Sequence, residues 1–282
     1  MKFITPLLIG LLMLSTNSFA HNKGKNMPQL SVQLWSVKDE VKADFKGTLK
    51  QLADMGFSGV EFANEFGEFT GDAKAIKAVL DELGLKGSGA HITFEQLNDE
   101  NFTATVKFYQ TLGVEILIVP WDDRAWHPEG IDEVVSLLNS LSKKLAPLGM
   151  KTGFHNHELE FNDFKGMTYW DYLAKNTSQE VVLQQDVGWT TYAGKDPIEY
   201  VKRYPGRTLT THYKVRLPEG TQGKLPIIGQ DTIDWLNLSK ANIAVGGTLW
   251  FVVEQEEYPN GLTPLQAVKK SKMGLDKILK QL

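Results

Sequence analysis

The chain has 282 residues, a formal charge of −4, 42% hydrophobic residues and no cysteine. That length exceeds an average domain but suits a single α/β barrel. The mild acidity offers no electrostatic footprint for nucleic acid or an anionic membrane surface, and the lack of cysteine excludes disulfides and thiol chemistry.

Residues 1–20, MKFITPLLIGLLMLSTNSFA, combine Lys2, an apolar run over 3–14 and the small-x-small triplet Ser18-Phe19-Ala20. This is the pattern of a secretory signal cut after Ala20, and its apolar run is too short to span a bilayer. The expectation is export to a periplasm or beyond, with residues 21–282 as one domain. No later run is long and apolar enough to cross a membrane.

From Pro28 the pattern is regular: a short apolar strand, a turn, an amphipathic helix, then glycine and the next strand. Strand one is expected over 30–35, with Phe45, Leu49, Leu52 and Ala53 forming one buried helix face before Gly56. Strand two is expected over 59–62, followed by a helix with Ile76, Val79, Leu80 and Leu83 that stops at Gly84. Strand three covers 86–91, and its helix carries Phe102, Val106, Tyr109 and Leu112 before Gly113. Strand four covers 116–119, and Ile131, Val134, Val135, Leu138, Leu141 and Leu145 mark the clearest helix. Gly149 then leads into strand five within KTGFHNHELEF, residues 151–161. A weaker helix is expected over 167–174 and strand six over 181–186. Asp196-Pro197-Ile198-Glu199 predicts a capping box, and strand seven follows over 209–212. The connection over 213–231 holds Gly220, Gly223 and Gly229; loops of that length commonly serve as lids or stay disordered. Strand eight ends at Glu254, and Thr263 to Gln266 caps a last helix. Eight such units without a Pro/Ser-rich linker predict one closed (β/α)8 TIM barrel with parallel strands.

Four consecutive strands end on metal-ligand types, and in such barrels strand ends form the active-site rim. Asp186, His212 and Glu254 end strands six, seven and eight, and Glu158 or Glu160 lies just beyond strand five. Three carboxylates and one imidazole suit Mn2+, Mg2+, Co2+ or Zn2+. Fewer than six protein ligands leave positions at which a sugar can chelate, and a carboxylate nearby can move a proton beside a carbonyl. His155 and His157, two apart, share a strand face; one reading of them is a hydrogen-bonding wall. Trp35, Trp121, Trp126 and Trp189 follow or end strands, where a ring can stack on a sugar, although barrel packing explains any one of them equally well. Lys214 shares a face with His212 and can polarise a carbonyl; its plainer reading is a solvated lysine. His91 and Glu61 end strands three and two as further candidate substrate contacts.

The segments QLWSV, GFSGVEFA, GSGAH, IVPW, HNHELEF, QQDVGW, HYK and VVEQE resemble the xylose-isomerase-like superfamily, often labelled sugar phosphate isomerase/epimerase, and within it a branch with an HNHxxEF motif. The resemblance covers almost all of residues 21–282. It implies a divalent metal held by Glu160, Asp186, His212 and Glu254. The strand-end positions themselves nominate Glu160, Glu254 and Lys214 as catalytic groups and His91, Trp121, His157, Trp189 and Glu61 as substrate contacts. The sequence departs in having His155 where relatives place the first ligand, and Val215 where many have Asp after the lysine.

The expected function is a secreted, metal-dependent isomerase or epimerase that moves a proton beside the carbonyl of a non-phosphorylated carbohydrate. A phosphate would need an Arg/Lys cluster or a glycine-rich helix start, and no strand end clearly supplies one. The alternative with the same metal site is a lyase or hydratase on 3-keto-glycosides. An abasic-site endonuclease would need more metals and a basic track, and a non-catalytic sugar-binding barrel would be expected to lack a ligand. A small carbohydrate is the expected partner, with no nucleic acid and no membrane; self-association is left open.

Overall fold

A parallel strand covered on both faces can satisfy its backbone only through neighbours on both edges, and the apolar runs of this chain do so by closing a ring. The computed structural model describes residues 27–282, so the expected leader lies outside the described residues. The barrel strands are β1 (Gln29–Gln33), β2 (Gly59–Phe62), β3 (Lys86–His91), β4 (Ile116–Val119), β5 (Lys151–His155), β6 (Val182–Asp186), β7 (Thr210–Tyr213) and β8 (Trp250–Val253). Each pairs in parallel with its sequence neighbours, and β8 returns to β1 through Gln29 opposite Trp250. The (β/α)8 barrel expected from the sequence is therefore the fold.

Outside the barrel, helices Phe45–Asp54, Ala73–Leu83, Phe102–Leu112 and Ile131–Leu145 turn their apolar stripes inward, as the 3.6-residue spacing dictates. Leu49, Leu52, Ile76, Leu80 and Leu138 are fully buried or nearly so between helices and strands. The lumen is different. Barrels of this type fill it with layers of branched apolar side chains, yet here Ser31, Gln33, Glu61, Ser88, Gln184 and His212 are buried. Groups so buried must satisfy one another, and Ser31 Oγ lies 2.5 Å from Ser88 Oγ.

β1 ends two residues before the expected 35, where Leu34–Val37 form a 3-10 turn, and local structure differs from the sequence reading in four further places. β5 stops at His155, and the rest of the motif folds into a 3-10 turn, Leu159–Phe161, and a two-residue-wide hairpin over Asp163–Phe164 and Met167–Thr168. The helix expected from residue 167 starts at Tyr169, where Thr168 and Asp171 form a capping box. The box expected at Asp196 does not form: Asp196 caps Ile198 N–H, while Glu199 pairs with Arg203 along the helix. The connection over 213–231 is not a free lid along its whole length. Ile227 and Ile228 are buried, Ile228 N–H donates to Ser271 Oγ, and Gln255 Nε2 donates to the Pro226 carbonyl.

The connection docks on helix Pro264–Leu279 at Gly274, where an added Cβ would run into the Ile228 carbonyl. Gly274→Ala should therefore cost about 1–3 kcal/mol by overpacking, lowering Tm by roughly 2–10 °C for a chain of this size. Thermal melts by circular dichroism check this, and an unchanged Tm would show that the connection is not held there.

Candidate active site and metal centre

The site begins with Glu61 on β2, a carboxylate with no exposed surface in the middle of the lumen. Gly89 on β3 makes room for it, since a Cβ there would stand 2.9 Å from Glu61 Oε2. A buried carboxylate needs charge and hydrogen-bond partners. His212 Nε2 lies 2.5 Å and His91 Nε2 3.2 Å from Glu61 Oε1, which also accepts from Gln33 Nε2 at 2.8 Å. Gln184 Nε2 donates to Glu61 Oε2 at 2.8 Å. Burial pushes the Glu61 carboxyl up, but His212 and His91 outweigh it and hold it below its ordinary value.

His212 continues the chain upward, its Nδ1 lying 2.9 Å from Glu254 Oε2. Burial alone would lower its pKa, but Glu61 and Glu254 on either side raise it to about 10. Glu254 is 3.5 Å from the Lys214 ammonium, which also pairs with Glu256 and lies 3.7 Å from Asp186 Oδ2. Burial raises the Glu254 carboxyl, yet Lys214 and His212 hold it well below the usual range. Burial pushes the Asp186 carboxyl up. Its Oδ1 accepts from Trp189 N–H at the start of helix Val187–Tyr192, and its Oδ2 has no hydrogen-bond partner among the described residues. Asn156 ties β5 to β6 here: its Oδ1 accepts from Asp186 N–H and its Nδ2 donates to the Asp186 carbonyl.

Four side chains therefore converge, with one ligand atom each from His155, Asp186, His212 and Glu254 within 4.8 Å of one another. Two imidazoles, two carboxylates and the orphaned Asp186 Oδ2 make a donor set that fits a divalent first-row metal. His155 stands where a strand-five glutamate was expected. Its ring is buried with Nε2 3.7 Å from Asp186 Oδ2, and burial together with His212 keeps it neutral, well below the ordinary histidine value. The structure does not bring Glu160 into this cluster: its Oε2 accepts from His157 N–H, and its Oε1 has no hydrogen-bond partner among the described residues.

Above the cluster opens a cavity of about 320 Å³ whose lining includes His155, Glu254, Lys214, His91, His157 and Trp121. Asp186 and His212 stand behind this wall, fully buried, and Glu61 lies beneath it. Trp35 and Trp121 are about half exposed at the mouth, at 45% and 50%. Trp121 presents its ring edge to His157 with centroids 4.8 Å apart. Burial, then Lys214, lower His157 to about 3, so its imidazole is neutral. Trp189 is not among the cavity-lining residues; Lys214 and Arg216 lie over its ring. The sequence reading missed Gln33, Gln184, Asn156 and Glu256 as parts of the site. A polar residue two positions before Asp186 in VVLQQD was the available signal for Gln184.

The position of Glu160 has a measurable consequence. Burial pushes its carboxyl from the ordinary 4.5 up to about 8. Between those pH values the unfolded chain releases a proton that the folded protein keeps, so stability falls as pH rises, by up to about 1.4 kcal/mol per unit. Glu160→Gln has no such proton. Its stability relative to the wild type should climb between pH 5 and 8 and level off above. Urea unfolding of chelator-treated proteins reads this, and a pH-independent difference would mean that Glu160 is ionised in the fold.

No protein-family model matches the chain. An inosose dehydratase from Clostridium botulinum (strain Alaska E43 / Type E3) is 24% identical over 266 residues, covering 81% of this chain and 87% of that protein. Among solved structures, a sugar phosphate isomerase/epimerase from Parabacteroides distasonis superposes with TM-score 0.75 at 23% identity, covering 93% of this chain and 98% of that one. The IolI protein, crystallised with a bound zinc atom, gives TM-score 0.65 at 18% identity over 90% of this chain and 98% of its own. The architecture of this chain is that of the xylose-isomerase-like and sugar phosphate isomerase/epimerase TIM barrels.

Proposed function

We propose that this chain is a metal-dependent enzyme that removes a proton beside the carbonyl of a non-phosphorylated keto-carbohydrate or keto-cyclitol and eliminates the substituent beyond it. The observation that carries this reading is the placing of Lys214 and a cation-ready cluster, His155, Asp186, His212 and Glu254, at one cavity with two half-exposed tryptophans at its mouth. Lys214 is the only Lys or Arg among the described cavity-lining residues, and three carboxylates already surround it. A phosphate dianion would find little uncompensated charge there.

A divalent ion held by the four ligands would polarise the substrate carbonyl and acidify the neighbouring C–H. With two imidazoles in the set, Zn2+, Mn2+ or Co2+ suit it better than Mg2+. Glu254, on the cavity wall, takes the proton. The Lys214 ammonium offsets the charge that develops on the carbonyl oxygen. His157, neutral and on the cavity wall, contacts the substrate beside the departing oxygen. As the C–O bond breaks and the C=C bond forms, the proton taken by Glu254 passes to that oxygen, which leaves as water or as the aglycone alcohol. Trp35 and Trp121 cover the apolar faces of the ring and exclude water.

The inosose dehydratase relatives support elimination as the outcome. The alternative, return of the proton to give an isomer or epimer, is supported by the sugar phosphate isomerase/epimerase structures of the same fold. The proposal includes an extracytoplasmic setting, supported by the leader pattern of residues 1–20. Mass spectrometry of protein from its own host should find a chain starting at residue 21; an intact first residue would remove that part of the proposal.

The chemistry is tested with metal-reconstituted protein, inosose and a 3-keto-glucoside in deuterated water, with products read by NMR. Loss of water or aglycone supports elimination, whereas deuterium at the carbon beside the carbonyl of an otherwise intact sugar supports the isomerase. Glu254→Gln should lower turnover by about 10²–10⁴. Asp186→Ala and His212→Ala should lose the metal equivalent and the rise in Tm that it confers. Full metal binding in both variants would show that the ion sits elsewhere.

A further inference from the structure

We infer that Glu61 and Gln184 are positioning residues that fix the ring protons of His212 and His155, so that Nδ1 of His212 and Nε2 of His155 are the nitrogens presented to a divalent cation. The inference rests on the proposed metal site and adds to it the buried floor that orients two of its ligands.

An ionised carboxylate only accepts hydrogen bonds. Gln184 approaches Glu61 Oε2 at 2.8 Å, so the end of the amide that faces Glu61 must be the NH2 group, which also donates to Thr210 Oγ1 at 3.2 Å. The amide oxygen of Gln184 is thereby turned toward two histidines. It lies 3.1 Å from His155 Nδ1 and 2.7 Å from His91 Nε2, and an amide oxygen can only accept. His155 Nδ1, which faces an oxygen that only accepts, therefore carries a proton, and Nε2, on the side of Asp186 Oδ2, is the nitrogen left for a cation.

His212, on β7, is held in the same way. Glu61 Oε1 at 2.5 Å keeps a proton on His212 Nε2, and Nδ1, which faces Glu254, is the nitrogen left for a cation. Gln33 closes the floor: its Nε2 donates to Glu61 Oε1 and its Oε1 accepts from Trp35 N–H, so its own orientation is set from both ends. One buried carboxylate thus orients two amides, and through them and directly it sets three imidazoles. Partners of this kind raise ligand basicity and hold the ring plane, and their removal typically costs 10–100-fold in metal affinity.

The test uses the full chain with 15N-labelled histidine. Two-bond 1H–15N spectra of the chelator-treated protein, with the His155 signal assigned by its loss in His155→Asn, report which ring nitrogen carries the proton. The expected result is His155 protonated at Nδ1 only. In Gln184→Met, which deletes the acceptor, the signal should move to the other form or to a mixture. Zn2+ affinity, measured by competition with a chromogenic chelator, should fall about 10–100-fold in Gln184→Met and in Glu61→Leu. It should fall less in Glu61→Gln, which keeps a neutral acceptor for His212 Nε2. A wild-type His155 protonated at Nε2 overturns the inference without any variant having to fold. So does unchanged Zn2+ affinity in folded Gln184→Met and Glu61→Leu. Two Zn2+ per wild-type chain, with one lost in Glu61→Gln, also overturns it, because Glu61 would then be a ligand. A wild type that binds no Zn2+ but shows the expected ring protons sinks the metal reading while leaving the hydrogen-bond floor as described.

Discussion

A carboxylate with no exposed surface in the centre of a closed barrel has to be answered by positive charge, and in this protein the answer runs from the floor of the lumen to its mouth. Glu61 faces His212, His212 faces Glu254, Glu254 faces Lys214, and Lys214 pairs with Glu256 at the cavity wall. The signs alternate along the whole line. Removing one partner of a buried pair commonly costs about 3–5 kcal/mol because the remaining charge is stranded, so each member constrains the next. Burial by itself would strip the proton from His212; its two carboxylate neighbours reverse that. The lumen is polar for this reason, and Gly89 is small because the carboxylate occupies the space a side chain would need.

The line of charges also explains why the ligand cluster can exist before any cation arrives. Asp186 Oδ2 is buried without a hydrogen-bond partner among the described residues, while Asp186 Oδ1 is held by Trp189 N–H in the first turn after β6 and the backbone of Asp186 by Asn156. His212 and Lys214 supply interim positive charge to the carboxylates around them. A cation entering the cluster would take over part of that duty, which is the coupling between metal binding, protonation and stability that such sites show. The burial is uneven. The floor is fully buried and hydrogen-bonded, while the mouth is formed by tryptophans half open to solvent.

Neighbouring elements serve the same arrangement. β5 ends at His155 because Asn156 leaves the strand to bond the backbone of Asp186, and the glutamates beyond turn away in Leu159–Phe161. The three residues of the HNH triplet thus do different things: its first histidine joins the cluster, its asparagine joins strands, and its last histidine lines the cavity beside Trp121. At the opposite side of the rim, Gln255 anchors the end of β8 to Pro226, Glu257 and Ser271. That keeps Glu254 and Glu256 in place under a connection that would otherwise be free to swing.

The sequence by itself determined the barrel and most of the rim. Eight apolar runs alternating with helical stripes can bury their faces in few ways, and a closed parallel barrel gathers every strand's C-terminal end on one side. Asp186, His212, Glu254, Lys214 and His91 could therefore be placed together from strand ends alone. Three things depended on tertiary structure. Whether strand five runs to residue 155 or to 161 is settled by the two side-chain bonds of Asn156 to the Asp186 backbone, so His155 rather than Glu160 stands at the cluster. Side-chain alternation puts Gln184 on the face of Asp186 but cannot tell that it meets Glu61, 123 residues away. The protonation of His212 follows from two carboxylates that approach it across the lumen from β2 and from the end of β8. Local pattern reads what each residue can do along its own strand; which charges share a buried space is decided only when the ring of strands closes, because only then is water removed and each group left with the partners that topology supplies.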